Sequence, residues 1–296
     1  MLNGILCLDK SQDMTSFDCC AIMRRLLGQK KIGHGGTLDP MATGVLPILV
    51  GSATRAMDIL PVQDKRYIAT LRFGFVSDTL DVWGNVVPTG KVPPDKQQVE
   101  QTADQFRGDI LQIPPMTSAL KKDGVRLYEL ARKGIEVERE ARPITIYGLN
   151  ILAYSQQTGE LTFDCACSKG TYIRSICDDW GRLLGCGAVM TALRRTMAAG
   201  YTIDGCISVE TAKELAANGE LTKKLSPVDT AFSVYQSLTV TAAQAVRFAN
   251  GGALALERLS YKVDGMARVY SPEGVFLGLG QPINDELRVF KLFPER

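Results

Sequence analysis

The sequence predicts an α+β protein with a mixed or antiparallel sheet and a small β-rich C-terminal domain. The chain has 296 residues, of which 45% are hydrophobic and 22% charged, as in soluble globular proteins with a sizeable core. Segments with strand and helix periodicity are interspersed without a steady βαβ rhythm, which argues against a doubly wound parallel sheet. After residue 231, several short strand patterns follow one another and are separated by Gly, Pro and Asn.

Local patterns place the elements of the main domain in order. Apolar or alternating runs predict strands over residues 5–8, 45–50, 66–75 and 161–167. Helices are predicted from the capping residues Thr15 and Ser16 to about residue 27, and over residues 94–106 and 172–184. Gly28 ends the first helix, and the segment from residue 33 to the second strand is a glycine-rich loop.

The C-terminal part has a different pattern. Strands are predicted over residues 238–240, 267–270, 275–279 and 287–292, with a short helix over residues 242–250. We therefore expect a main domain of residues 1–235 and a compact domain of residues 236–296.

Composition and cysteine placement exclude several classes of protein. A net charge of +2 is too small to indicate a nucleic-acid partner by itself. The eight cysteines form no C-x-x-C pair, and the one histidine has no zinc-type spacing, so we expect reduced thiols and no metal. The N-terminal apolar run lacks a basic leader, and no segment reaches the roughly 18 apolar residues of a membrane span. We expect a soluble, cytoplasmic protein.

Residues 115–143 form a basic segment with few large apolar side chains. Its cations are Lys121, Lys122, Arg126, Arg132, Lys133, Arg139 and Arg142. The pattern fits a solvated surface excursion as well as it fits a mobile arm that closes on a polyanion.

The glycine-rich loop carries the strongest chemical signal. It reads Gly33-His34-Gly35-Gly36-Thr37-Leu38-Asp39-Pro40-Met41-Ala42-Thr43-Gly44-Val45-Leu46-Pro47. Glycines allow the backbone to approach a ligand closely, and Pro40 disfavours helical backbone at Asp39. The loop lacks the Gly-Lys-Ser/Thr ending of a phosphate-binding P-loop. From the residues alone, Asp39 is either a functional carboxylate or an aspartate that caps its own turn.

This segment resembles the catalytic motif of the TruB family of pseudouridine synthases, which act on uridine 55 of tRNA. Other segments resemble further motifs of that family: Lys65-Arg66-Tyr67 with Gly74, residues 77–81, Ser118-Ala119-Leu120-Lys121 with residues 124–134, residues 167–175, and Leu193-Arg194-Arg195-Thr196. The likeness covers essentially the whole chain, and residues from about 238 resemble the family's PUA-type RNA-binding domain. One departure is Lys10-Ser11-Gln12-Asp13-Met14-Thr15-Ser16, where the family usually has Lys-Pro-x-Gly-x-Thr-Ser.

The resemblance implies a cofactor-free enzyme that isomerises a flipped uridine in the tRNA T-loop to pseudouridine. Asp39 would be the catalytic carboxylate, acting as nucleophile or as base. Arg174 would pair with Asp39, Tyr67 would stack on the target base, and Tyr172 and Leu193 would line the pocket. The residues themselves also fit ordinary surface or core positions.

The resemblance also implies how tRNA is bound. His34 would insert into the tRNA loop and help to displace the target nucleotide. Residues 115–143 would be an RNA-clasping insertion, in which Lys121, Arg126 and Arg132 contact the RNA, and we expect it to be mobile until RNA binds. The partner is the T-arm of tRNA, and we expect a monomer without an obligate protein partner.

Three alternative functions remain open at this point. The first is a non-catalytic protein that binds or remodels tRNA. The second is a zinc nucleobase deaminase, which is disfavoured because the H-x-E and P-C-x-x-C signature is absent. The third is a guide-RNA-dependent relative of the same family, which would need protein partners.

Overall fold

The computed structural model describes residues 1–294. The α-helices are α1 Ser16–Leu26, α2 Lys96–Ala103, α3 Leu127–Arg132, α4 Ile173–Leu183, α5 Val209–Ala217 and α6 Ala242–Ala249. Short 3-10 helices cover Gly51–Ala56, Asp104–Phe106, Ile203–Gly205, Leu221–Lys224, Val228–Phe232 and Leu256–Arg258.

The strands are numbered along the chain. The strands before residue 236 are β1 Gly4–Lys10, β2 Ile32–His34, β3 Thr43–Val50, β4 Lys65–Phe73, β5 Phe75–Ser77, β6 Val86–Pro88, β7 Gly108–Gln112, β8 Lys121–Lys122, β9 Val125–Arg126, β10 Arg142–Ser155, β11 Glu160–Cys167, β12 Ala188–Ala198, β13 Tyr201–Thr202 and β14 Ile207–Ser208. The strands after that point are β15 Gln236–Thr239, β16 Leu254–Ala255, β17 Ala267–Tyr270, β18 Phe276–Ile283 and β19 Glu286–Leu292.

The chain divides into two compact units. The first unit comprises residues 1–39, 45–62 and the chain from residue 199 onward, and the second comprises residues 40–44 and 63–198. The strand β3 therefore begins in the second unit and continues in the first.

The first unit contains a mixed sheet and the helix α1. The strand β1 lies between β14, to which it is parallel, and β3, and β2 pairs antiparallel with β3. Thr15 is the N-cap of α1 and forms a capping box with Asp18, as the sequence indicated. The buried positions of this helix are Ser16, Cys19, Cys20 and Met23, which is the spacing of one helix face.

The C-terminal elements form a five-stranded sheet in the order β15-β17-β18-β19-β16. One core under this sheet includes Leu238, Phe248 and Val269. A second core joins Leu279 of this sheet to Ile5 of β1, so the sheet packs against the N-terminal elements of the same unit. The domain boundary at residues 235 and 236 stays a prediction, and residues 295 and 296 of that domain lie outside the described residues.

The second unit is built on the strand order β12-β4-β11-β10-β7, with the start of β3 parallel to β12. The neighbours in the series from β12 to β7 are antiparallel. The helix α4 packs on one face of this sheet, where the Trp180 ring lies 5.5 Å from the Phe163 ring and 5.2 Å from the Phe106 ring. Mixed sheets with helices and a β-rich C-terminal sheet confirm the predicted fold class.

Both ends of the predicted glycine-rich loop belong to strands, residues 33 and 34 to β2 and residues 43 and 44 to β3. Residues 32–34 form β2, in which Gly33 pairs with Leu49 and His34 with Ile48. The loop prediction was wrong for these four residues because the strand pairing that defines them, with β3 and with β12, leaves no alternating pattern in the local sequence.

Candidate active site

The residue before Asp39 is fixed to the start of α1. The Leu38 amide donates a hydrogen bond to Ser16 Oγ at 2.9 Å, and the same hydroxyl donates to the Leu38 carbonyl at 3.2 Å. Leu38 is buried and Asp39 is half-buried. A hydroxyl that satisfies both backbone groups of Leu38 restricts the conformations open to the loop at Asp39.

The turn before α1 is closed by a buried lysine. Lys10 is fully buried, and its ammonium donates to the Ser11 carbonyl at 2.9 Å and to the Met14 carbonyl at 2.8 Å. Asp13 has a φ of 63°, in the left-handed region that favours glycine. The position at which the family usually has glycine thus keeps a glycine-like conformation here, although the residue is aspartate.

His34 lies at the end of β2 in the first unit. Arg24 of α1 donates to the Ile32 carbonyl at 2.7 Å, and the Gly35 amide donates to the Pro47 carbonyl at 2.8 Å. The half-buried His34 ring lies edge-to-face with the Phe17 ring, at a centroid distance of 5.5 Å. The strand that carries His34 is thus held by both α1 and β3.

Residues 40–44 follow Asp39 directly and belong to the second unit. Met41 and Ala42 are buried, and Gly44 pairs with Arg195 of β12. Gly44 has a φ of 105°, and a Cβ atom there would lie 2.1 Å from the Arg195 carbonyl oxygen. No other residue type fits this close approach, so Gly44 fixes the path of the backbone that follows Asp39.

Tyr67 and Leu193 share one face of the second-unit sheet. In the antiparallel pair of β4 and β12, Tyr67 lies opposite Arg195, and Ala69 lies opposite Leu193. Opposed side chains in such a pair point to the same face, as do residues two apart in one strand. Tyr67 and Leu193 are both buried, and Arg195 is fully buried beside them.

Arg174 is held in a buried network in the first turn of α4. Its side chain is 6% exposed, and Nε lies 3.7 Å from Oδ2 of Asp81, whose side chain is 8% exposed. The other oxygen of Asp81 accepts hydrogen bonds from Thr79 Oγ1 at 2.7 Å and from the Trp83 amide at 3.0 Å. Leu80 has a φ of 65°, an uncommon conformation for a residue without glycine's freedom, and this turn leads into Asp81.

Thr117 and Gln112 add two further supports to this region. Thr117 accepts from Arg174 through both its hydroxyl and its carbonyl, the latter at 3.0 Å. The Gln112 side chain is buried, donates to the Tyr172 carbonyl at 3.0 Å and accepts from the Tyr172 amide at 2.8 Å. Tyr172 is the N-cap of α4, so Gln112 fixes the start of the helix that carries Arg174.

The half-buried Lys65 and the buried Cys167, at the ends of β4 and β11, have shifted pKa values. Burial lowers the pKa of Lys65, and the nearby positive charge of Arg195 lowers it further. A hydrogen bond from the Cys165 thiol lowers the pKa of Cys167, and Thr171 and Lys65 act in the same direction against the effect of burial. Lys65 and Cys167 are directly paired across the two strands.

The basic segment, residues 115–143, contains a small hairpin and the helix α3. The hairpin pairs Lys121 with Arg126, and both are exposed. The guanidinium carbons of Arg126 and Arg132 lie 5.9 Å and 5.4 Å from the centre of the Tyr128 ring, so two predicted RNA-binding cations cluster there. A cavity of about 300 Å³ lies next to the hairpin and is lined in part by Lys121 and Arg139. Arg142 and Pro143 already belong to β10.

The predicted site residues fall into both units. Tyr67, Tyr172, Arg174 and Leu193 lie in the second unit, whereas Asp39 and His34 lie in the first. The pairing of Asp39 with Arg174 stays a prediction, as do the roles assigned to all of these side chains.

Several residues that support the site were not predicted as site residues from the sequence. Ser16 binds the Leu38 backbone 22 positions away, and Gln112 binds the Tyr172 backbone 60 positions away. Thr117 accepts from the Arg174 guanidinium 57 positions away. Asp81 falls in a segment that resembles a family motif, which is the one sequence signal that pointed towards it.

The described part of the chain shows neither a metal-binding cluster nor a membrane-spanning helix. Among residues 1–294, no group of three or more His, Cys, Asp or Glu side chains is placed to hold a metal ion. No helix in the same range has the length and apolar character needed to cross a membrane.

Three family models match consecutive parts of the chain. One, described as "TruB family pseudouridylate synthase (N terminal domain)", matches residues 24–173. Residues 174–233 match "tRNA pseudouridylate synthase B C-terminal domain", and residues 237–296 match "Pseudouridine synthase II TruB, C-terminal".

Curated relatives are similar over nearly the whole chain. A tRNA pseudouridine synthase B of Haemophilus influenzae strain Rd is 45% identical and covers 94% of this chain and 89% of its own. A protein of the same name from Escherichia coli O139:H28 is 42% identical and covers 97% and 93%. Among solved structures, that of a Cbf5-Nop10-Gar1 complex has a TM-score of 0.74 at 24% identity, covering 99% of this chain and 85% of the other, and shows a shared fold.

Proposed function

The chain belongs to the TruB family of pseudouridylate synthases, and we propose that it converts uridine 55 in the T-loop of tRNA to pseudouridine. It is a tRNA-modifying isomerase, since relatives named tRNA pseudouridine synthase B are 41–45% identical over nearly its full length. We propose in addition the position of the target uridine in the T-loop, the reaction mechanism and the roles of individual residues.

The observation that carries the proposal is the fixed backbone on either side of Asp39. Ser16 holds both backbone groups of Leu38, and Gly44 lies against the Arg195 carbonyl where no side chain fits. A carboxylate that must meet one bond of a substrate benefits from such rigidity, because small misplacements slow chemistry severely. An aspartate that only capped its own turn would not need both supports.

The reaction we propose moves no atom to or from an external carrier. The bond between C1′ of the ribose and N1 of uracil breaks, the base turns, and C1′ bonds to C5. The proton on C5 is lost and N1 gains one, so the product is an isomer of the substrate and no redox or group-transfer cofactor is required. Asp39 acts either as nucleophile towards the sugar or base, or as base towards a sugar proton.

In this proposal Arg174 orients the Asp39 carboxylate through a charge-assisted contact. Asp81 and Thr117 hold the Arg174 guanidinium in a buried site, and this fixed position supports a role for Arg174 in orienting a carboxylate. Tyr67 stacks on the displaced uracil, and Tyr172 and Leu193 form the wall of the pocket. The burial of Tyr67 and Leu193 on one sheet face supports these roles.

RNA binding in this proposal uses His34 and the basic segment. His34 occupies the space left by the flipped base and recovers part of the lost stacking. Lys121, Arg126 and Arg132 contact phosphates, so the affinity for tRNA falls with rising salt. We further propose that the protein acts in the cytoplasm as a monomer without a helper protein.

The direct test is incubation of the purified protein with an unmodified tRNA transcript, followed by chemical mapping of pseudouridine. We expect one modified position, in the T-loop, and none in a matched transcript that has cytidine at that position. Binding of the transcript without any product would instead support a non-catalytic tRNA-binding protein. Pseudouridine at another position alone would show that the proposed target is wrong.

A further inference from the structure

Phe17 is an exposed aromatic residue that neither the fold nor the proposed chemistry uses. It lies in the first turn of α1, directly after Ser16, and is 64% exposed. Among residues 1–294 it is the most exposed phenylalanine. It lies outside the buried stripe of the helix, so it contributes little to the core.

The Phe17 ring adjoins the ring of His34. Their centroids are 5.5 Å apart and their planes are nearly perpendicular, at 86°. Arg24, about two turns further along α1, donates to the Ile32 carbonyl of the strand that ends at His34. The helix α1, which carries Phe17, is therefore hydrogen-bonded to the strand β2, which carries His34, so the two rings form one surface of fixed shape within the first unit.

The chain that follows Phe17 is mostly basic, although one exposed carboxylate, Asp18, lies directly beside it. Residues 19–38 contain Arg24, Arg25, Lys30 and Lys31 but no aspartate or glutamate. Arg25, Lys30 and Lys31 are exposed. Aromatic rings beside a basic surface are the combination with which proteins bind unpaired nucleotides, because bases stack on the rings and phosphates meet the cations.

We propose that Phe17 and His34 together form a two-ring surface on which an unpaired nucleobase of the RNA substrate stacks. This inference rests on the proposed function and adds a substrate-binding residue to it. Phe17 takes no part in the chemistry in this proposal, so its loss weakens binding and leaves the rate of the bound complex largely unchanged.

The test compares four variants for binding of an unmodified tRNA transcript. We expect Phe17→Ala and Phe17→Leu to raise the Kd about 5- to 150-fold, the range for loss of one stacked base, whereas Phe17→Tyr keeps the ring and binds like wild type. The control is Val92→Ala, which removes an apolar side chain that is 80% exposed and has no assigned role. Unchanged thermal unfolding of all four would show that binding and not folding is affected.

A second arm replaces each base of the T-loop in turn by an abasic site. In wild type, one position should lose affinity when its base is removed, and in Phe17→Ala that same removal should cost nothing further. If Phe17→Ala binds as tightly as wild type, or Phe17→Leu as tightly as Phe17→Tyr, the stacking surface is refuted. The proposed function fails separately, if wild-type protein forms no pseudouridine.

Discussion

Replacement of Gln112 tests whether the start of α4 must be held for catalysis. Gln112→Met keeps the length of the side chain but removes two hydrogen bonds, at 2.8 Å and 3.0 Å, from the Tyr172 backbone. Each such bond contributes about 0.5–1.5 kcal/mol net, and an unsatisfied buried partner adds to the loss. We therefore expect the free energy of unfolding to fall by about 2–3 kcal/mol, which corresponds to a Tm lower by roughly 3–5 °C for a chain of this length.

The effect on activity should be larger than this loss of stability suggests. Tyr172 is the N-cap of the helix that carries Arg174, so a looser Tyr172 backbone displaces both proposed active-site residues. Displacements of about 1 Å can slow a reaction about 100-fold, and we expect the single-turnover rate constant to fall about 10- to 100-fold. The affinity for tRNA should stay largely unchanged.

The assay is release of tritium from tRNA labelled at uridine C5, because that hydrogen leaves when C5 bonds to the ribose. Gln112→Glu should be intermediate, since it still accepts from the Tyr172 amide but no longer donates to the carbonyl. Gln97→Met makes the same change at an exposed position and should behave as wild type. A Gln112→Met protein with the wild-type rate constant would refute the inference that Gln112 positions α4.

Two further changes test other supports of the site. Thr117→Val removes the hydroxyl that accepts a hydrogen bond from Arg174, and such bonds to charged groups contribute about 1.5–3 kcal/mol. If that energy orients Arg174 in the transition state, single turnover slows by roughly 10- to 150-fold, and Thr117→Ser stays close to wild type. Equal rates for the Val and Ser variants would contradict a positioning role for this hydroxyl. Asp13 has left-handed backbone, so Asp13→Ala should be less stable than Asp13→Gly by about 1 kcal/mol in urea unfolding. Equal stability of those two variants would show that this turn does not need a glycine-like conformation.

Local periodicity predicted the elements whose cause is local. The apolar runs of β1 and β3, the capping residue Thr15 and the terminating Gly28 each lie next to the structure that they determine.

Two long strands were missed for identifiable reasons. The register of β10 is interrupted twice, between Ile146 and Gly148 and between Ile151 and Ala153, which breaks the alternation that marks a strand. The strand β12 contains Arg195, a fully buried cation that reads as a surface residue in the sequence.

The candidate site likewise contains residues that the local sequence predicts and residues that it does not. The motif around Asp39 and the segment around Arg174 could be found because contiguous residues carry them. Gln112 and Thr117 could not, because each acts through a partner that only the folded chain brings near, and glutamine or threonine at such positions carries no local signal. Supports of this kind are set by tertiary packing and not by pattern.

The role of Asp39 is tested most directly by Asp39→Asn. Asparagine has almost the same shape, so the loop and the affinity for tRNA should be retained, but the variant has no carboxylate to act as nucleophile or base. In single-turnover assays with excess protein and unmodified tRNA, we predict that pseudouridine formation slows by about 10²–10⁴-fold or more. An Asp39→Asn protein that modifies the T-loop uridine at the wild-type rate would contradict the assignment of Asp39 as the catalytic carboxylate.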